Sequence, residues 1–370
     1  MSSPSDKAHR PFRALVTGGG GFLGRAIVER LRARGDQVRS FARGDYPELA
    51  QLDVEVLRGD VADANAVSTA CRGCDVVFHV AARAGVWGKY EEYYRPNVRG
   101  TENVIAACRA NGVSRLVYTS SASVVFAGGD LENADESTPY PARHHSHYSA
   151  TKAIAEQSVL AANDDHLRTL ALRPHLIWGP RDNHIVPRLV ARARAGQLRR
   201  IGPGHNKVDS TYIDNAVDAH LLAADALGTN SNAAGRAYFI TNGEPRPVWE
   251  LINGILAAAG APPVRRKLSW RTARTIGGVL EFVHTVFRVE SEPRMTRFIA
   301  DELATSHWFD ISAARKELGY KPRVSIDEGL QRLEQWFHET GGADQSHKRE
   351  RGVFRRKHPT IGPARSRSGL

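Results

Sequence analysis

The chain has 370 residues, 41% hydrophobic and 25% charged, with a formal net charge of +11. That length and composition suit one large or two smaller α/β domains with ample core, and no apolar run is long enough to cross a membrane. The charge excess sits largely at one end: Gly341 to Leu370 holds eight Lys/Arg against Asp344 and Glu350, or +6 of the +11. This Gly/Ser/Pro/Arg-rich stretch reads as a solvated, disordered tail. It lacks the interleaved aromatics of a base-stacking platform, so no nucleic-acid partner is expected. Met1 to Arg13 is polar, with no apolar signal region, which makes the cytoplasm the expected compartment. Of three cysteines, Cys71 and Cys74 form a C-x-x-C with no second pair, just before a buried strand. They read as structural, reduced thiols rather than a zinc or redox site.

After a disordered start (residues 1–11), the apolar run Phe12 to Val16 reads as a buried strand that stops at Gly18-Gly19-Gly20-Gly21. From Phe22 the apolar positions take helical spacing: Phe22, Leu23, Ile27, Leu31. Strand, glycine turn and helix are the parts of a dinucleotide-binding crossover. Gly18 would allow the tight turn, Gly20 and Gly21 the approach of a pyrophosphate, and Gly24 close helix packing. The N–H groups at the helix start, around Phe22 and Leu23, would hold the phosphates. Gln37 to Phe41 is a second strand, followed by Ala42-Arg43 where NAD-selective folds place a carboxylate. Arg43 is therefore read as a partner for a 2′-phosphate, which favours NADP(H) over NAD(H); an ordinary surface arginine explains the same letters.

Val54 to Leu57 is a third strand, followed by Asp60 and Val61 at the expected adenine edge. Asp60 either binds the adenine amino group or caps the helix around Asn65 to Ala70. Val76 to Ala82 is an apolar fourth strand whose small terminal residues, Ala81 and Ala82, suit a nearby cofactor. Asn97 to Asn111 reads as one helix, and Leu116 to Tyr118 opens a fifth strand that runs into Ser120-Ser121-Ala122-Ser123. This alternation implies a Rossmann-type, doubly wound parallel sheet with ligands beyond the carboxyl ends of its strands.

Tyr148 and Lys152 are four apart and would share one helix face. An ordinary tyrosine, with a pKa near about 10, is a poor acid–base group at neutral pH. A lysine cation one turn away is expected to favour the phenolate. The preceding His144, His145 and His147 have no carboxylate or cysteine at ligand spacing, and no metal is expected.

With T-G-x-x-G-x-x-G, T-S-S and Y-x-x-x-K in this order, the sequence resembles the extended short-chain dehydrogenase/reductases, and within them the 3β-hydroxysteroid dehydrogenase family. The stretches 119–126, 173–182 and 212–215 resemble sterol-4-carboxylate 3-dehydrogenases. Those at 43–47 and 84–88 resemble bacterial 2-alkyl-3-oxoalkanoate reductases. The resemblance implies a hydride transfer between NAD(P) and a ketone or secondary alcohol on a hydrophobic β-keto or β-hydroxy acid. It implies Tyr148 as proton donor or acceptor, Lys152 as its activator and ribose ligand, and Ser121 as holder of the substrate oxygen. Asn97 would belong to a proton relay, and Pro174 to the cofactor-facing positions. Ser120 or Ser123 are alternative working serines, and Asn97 alternatively caps its helix. An arginine, Arg83, Arg173 or Arg181, would receive the substrate carboxylate. A homodimer through the helices 97–111 and 148–160 is expected by analogy of fold.

Residues 12–172 are thus read as the dinucleotide-binding domain and 173–340 as a smaller substrate-binding region interleaved with late sheet elements. In the latter, Ile185 to Ala195 is an amphipathic helix and Tyr238 to Thr241 a strand. Between Ile276 and Val289, the residues Ile276, Val279, Leu280, Val283, Val286 and Phe287 share one face, with Glu281 and His284 opposite. Too short and charged to span a bilayer, this helix reads as a core helix, a lid, or a contact for a membrane surface or partner enzyme. Sugar-nucleotide epimerases and dehydratases share the fold and the Ser, Tyr and Lys, but the absent acidic residue after the second strand argues against them. A non-catalytic NADP-binding regulator is disfavoured because both Tyr148 and Lys152 are kept.

Overall fold

A computed structural model describes residues 11–341 except Asn230 and Glu290. The polar start and the basic tail lie outside the described residues, apart from Pro11 and Gly341. Seven strands make the main sheet: β1 (Arg13–Thr17), β2 (Gln37–Ala42), β3 (Glu55–Arg58), β4 (Val76–His79), β5 (Arg115–Thr119), β6 (Arg168–Pro174) and β7 (Arg236–Ile240). Their spatial order is β7-β6-β5-β4-β1-β2-β3, every neighbouring pair parallel. This is the Rossmann-type, doubly wound sheet that the alternating pattern implies.

Side chains alternate across the sheet, so each strand feeds two cores. Ala14, Val16, Val76, Phe78 and Val117 pack on one face against α1 (Phe22–Ala33) and α5 (Ile213–Thr229). Leu15, Val77, Leu116 and Tyr118 pack on the other face against α2 (Ala64–Cys71), α3 (Gly100–Ala110) and α4 (His147–Ala161). Cys71, Cys74 and Cys108 belong to this second core as free thiols.

Three local readings change. The helix expected over 97–111 is broken into a π-helical turn, Arg95–Arg99, followed by α3. The wider turn holds Asn97 buried, its side chain bonded to Arg83 and Thr151. Asp60 does not cap α2; Asp63 does, accepting from Asn65 N and Ala66 N. Asp60 instead accepts from its own Ala62 N and pairs with Arg95.

The third change concerns α6 (Trp270–Val286), which is turned inside out relative to a core helix. Ala273 and Gly277 face the protein, and a Cβ on Gly277 would stand 2.6 Å from the Thr296 carbonyl carbon. Phe282 is 69% exposed and Val279 57%, with Phe287, just past the helix, at 73%. The core-helix reading of 276–289 is therefore overturned: its apolar face is the solvent face.

Later segments return over the carboxyl ends of the strands. His307 meets His175, just past β6, with ring centroids 4.9 Å apart, and Phe126, past β5, at 6.0 Å. The helix α4 is pinned to β6 by a buried ion pair: Arg173 donates to both carboxylate oxygens of Glu156, at 2.6 Å to Oε1 and 3.2 Å to Oε2. Their side chains are 4% and 0% exposed. Removing one partner strands the other charge. Glu156→Ala is expected to cost about 3–5 kcal/mol, read as a lowered urea midpoint, whereas Glu156→Leu with Arg173→Met costs far less.

Candidate functional site

The site is assembled where β1, β4, β5 and β6 end. After β1 the chain turns at Gly18, whose φ of +71° favours glycine and whose N–H bonds the Phe41 carbonyl at 2.7 Å. A Cβ on Gly24 would lie 2.2 Å from the Gly18 carbonyl oxygen, so α1 lies directly on the turn. A Cβ on Gly20 would run into the Tyr46 ring. Helix α1 has Gly21 as its N-cap, with no side-chain cap and no acidic residue in its first turn. Its leading amides, around Phe22 and Leu23, thus remain for an anion such as a dinucleotide pyrophosphate. The residues present fit an NAD(P) cofactor.

Around this loop, Ala81 packs against Gly18 and donates its N–H to Thr17 Oγ1 at 3.2 Å. Ala82 follows it, exposed; Val61 is buried against Gly100, and Pro174 closes β6 in the interior. Arg43 is exposed just past β2, and Arg58, at the end of β3, donates to its carbonyl at 3.1 Å.

A buried polar string fixes these ends. Thr101 donates its hydroxyl to the Asn97 carbonyl at 2.6 Å, so it must accept from His79 Nε2, 3.0 Å away. His79 Nδ1 is then the acceptor for the Thr17 hydroxyl at 2.7 Å. Burial, with the nearby Lys152 charge second, pushes His79 down to about 3, and the neutral ring serves both contacts. Asn97 continues the string: its amide donates to Thr151 Oγ1 at 3.0 Å and clamps both the N–H and the carbonyl of Arg83. Its backbone carbonyl accepts from Thr101, and it caps no helix.

Helix α4 starts at the Ser146 cap, which accepts from Ser149 N. Tyr148 lies in its first turn and Lys152 one turn further on. The phenol is partly accessible, and burial raises its pKa above the ordinary 10; the Ser121 hydroxyl lowers it and the Glu302 charge raises it further. Of the three candidate serines, Ser121 is the one that acts on the phenol. It caps the 3₁₀ turn Ala122–Val125 and bonds Ser123 Oγ at 2.9 Å, while the Ser120 Oγ is buried without a partner.

In the chain alone, Lys152 is held from the strand end. Its ammonium donates to the Thr119 carbonyl at 2.5 Å and lies 4.0 Å from the centroid of the Tyr118 ring. Burial pushes it down to about 7, against the pull of Glu156, and it does not figure among the groups that shift Tyr148. Its ammonium is thus held by the strand end and the Tyr118 ring.

Each of the three arginines expected to receive a substrate carboxylate carries an ion pair. Arg173 is locked to Glu156, and Arg181 makes a two-pronged contact with Glu29 at 2.8 and 2.9 Å. Arg83 pairs with Glu92 at 2.7 Å, both exposed, and its backbone is held by Asn97 beside the site. Among the described residues, no cluster of His, Cys, Asp or Glu is placed to hold a metal, and His145 bonds the Ala127 carbonyl.

Sequence reasoning missed Glu302 in α7 (Arg297–Ala304). Its carboxyl is pushed up to about 7 by burial, and its charge reaches Tyr148. It follows Tyr148 by some 150 residues in sequence, with no motif around it; only the fold joins the two.

The 3-beta hydroxysteroid dehydrogenase/isomerase family model matches residues 15–269. The chain is 55% identical over 324 residues to the 2-alkyl-3-oxoalkanoate reductase of Stenotrophomonas maltophilia (strain K279a), spanning 87% of this chain and 98% of that one. It is 36% identical over 331 residues to the decarboxylating sterol-4-alpha-carboxylate 3-dehydrogenase of Mus musculus, spanning 88% and 91%. The UDP-glucose 4-epimerase of Thermus thermophilus, solved with NAD, superposes with a TM-score of 0.68 at 26% identity, over 88% of this chain and 99% of that one. Site and likenesses agree: the chain is an NAD(P)-dependent oxidoreductase and belongs to the 3-beta hydroxysteroid dehydrogenase/isomerase family.

Proposed function

We propose that the protein interconverts a 2-alkyl-3-oxoalkanoate and its 3-hydroxy acid, with NADPH as the preferred reductant. What carries this reading is the 55% identity to a reductase so named, over 98% of its length. When bound, the cofactor supplies or accepts the hydride. The glycine turn and the uncapped start of α1 hold its diphosphate. Ser121 and Tyr148 hydrogen-bond the substrate oxygen, and Tyr148 gives its phenolic proton to the alkoxide as it forms, or takes it back in oxidation. Lys152 stands beneath, ready to leave the Thr119 carbonyl for a cofactor hydroxyl. Arg83, exchanging Glu92 for the substrate, receives the carboxylate.

The NADP preference rests on Arg43 at the end of β2, with Arg58 beside it and no carboxylate at the strand end. The reading is tested by following NADPH and NADH oxidation with 2-alkyl-3-oxoalkanoates and with 3-ketosteroids, and the reverse reaction with the hydroxy acids. Turnover of the alkyl acids with NADPH supports it. Turnover confined to steroids with NAD overturns it.

Three outcomes follow from the geometry. Tyr148→Phe is expected to lower kcat by about 10²–10⁴-fold with cofactor binding retained, measured by stopped-flow and by nucleotide fluorescence titration. Arg43→Ala should raise the KM for NADPH by roughly tenfold or more, the loss of a charge-assisted contact, and leave that for NADH nearly unchanged. In the oxidative direction Tyr148 must be a phenolate, so the rate climbs as pH passes its pKa. Glu302, raised to about 7, is a carboxylate above neutral pH and holds that pKa up. Glu302→Gln removes the charge, so the rising limb of the pH–rate profile moves to lower pH.

A further inference from the structure

We infer that the outer face of α6 docks the protein on an anionic lipid surface. The observation is a concentration of misplaced apolar side chains. Of the ten exposed large hydrophobics among the described residues, seven fall between Trp270 and Val289. On the helix, Ile276, Val279, Phe282 and Val286 lie within one arc, opposite the stripe of Ala273 and Gly277 that meets the segment before α7. Glu281 and His284 point the other way, while the small polar Thr272 and Thr275 share the exposed side. Glu281 is half-buried and accepts from Arg297 at 2.7 Å, and the His284 ring packs edge-on against Trp87. In water such a helix is upside down; at an apolar boundary it is the right way up.

The surroundings of the patch select lipid and its charge. Before the helix stand Arg265, Arg266 and Lys267, all exposed, and Arg271 lies in its first turn. Exposed Arg288 and Arg294 follow it. The described acidic groups of the segment are already neutralised, Glu281 by Arg297 and Glu292 by Arg188. An exposed apolar strip with cations before and after it in the chain complements a bilayer of anionic headgroups, where the side chains enter the acyl boundary and the guanidinium groups meet phosphates. Trp270 fits the same boundary: its ring is 41% exposed while its N–H is held by Asp301 at 2.8 Å.

The patch also lies near the reaction site. Trp87, against His284, gives its carbonyl to the Tyr93 hydroxyl, and the Tyr93 ring packs on His147, the residue before Tyr148. Docking on this face would bring that site close to the membrane surface, whatever the substrate.

Flotation of the full-length protein with 3:1 phosphatidylcholine:phosphatidylglycerol vesicles, and with phosphatidylcholine alone, tests this. Binding to the anionic vesicles is expected, weak on neutral ones. Phe282→Ser with Phe287→Ser should weaken it at least about tenfold while the protein melts at the parent temperature. Arg265→Glu with Arg266→Glu should weaken it as well, being outside the tail. A protein that stays in solution with anionic vesicles overturns the inference. So does a Ser pair that floats like the parent, since the basic tail would then carry the binding. Self-association without lipid that the Ser pair abolishes also overturns it, for the face would then cover a second copy.

Discussion

Everything at the carboxyl edge of the sheet hangs on a run of buried hydrogen bonds with a fixed direction. Proton donors point from Thr17 to His79, from His79 to Thr101, from Thr101 to the Asn97 carbonyl, and from the Asn97 amide to Thr151. The run ties β1, β4, the π-helical turn and α4 together. It works only with a neutral imidazole, and burial supplies that condition by holding His79 near 3. A protonated ring would have two donors and leave Thr17 without an acceptor. The glycine turn, the Arg83 backbone and the helix of Tyr148 and Lys152 are thus placed by one network. No loop strain is needed.

Burial then sets the acid–base character of what is placed. Tyr148 and Glu302 are both pushed toward their neutral forms, and Lys152 is pushed toward its neutral amine, each by desolvation before anything else. The lysine cation is held by a strand-end carbonyl and a tyrosine ring. In the chain alone the Ser121 hydroxyl lowers the phenol's pKa against the effect of burial. The charge of a bound oxidised nicotinamide would add to it, so proton transfer is coupled to cofactor occupancy.

The parts of this arrangement that a local pattern can encode were legible in the sequence. Alternating apolar runs such as Arg13–Thr17 and Val76–His79, the switch to helical spacing at Phe22, and the four-residue spacing of Tyr148 and Lys152 all depend on near neighbours. Their order also marks the family. What escaped depends on distant partners. The π-helical turn exists because Asn97 reaches Arg83 and Thr151. Asp60 lost the cap because Asp63 stands nearer the helix. Arg173 looked available until its position in β6 brought it onto Glu156. The helical period of 276–289 was read correctly, but periodicity has no sign: it gives a face, and cannot say whether that face turns in or out.

The three thiols have a use of their own. Cys71, Cys74 and Cys108 lie together in the core under α2 and α3, on one side of the sheet only, and burial raises Cys74 to about 11. A thiol reagent cannot reach them while that helical layer is closed, and the other layer, under α1 and α5, has no cysteine among the described residues. Their rate of labelling is thus a native clock for the opening of a single face. It separates loosening of that layer from unfolding of the whole sheet without any introduced probe.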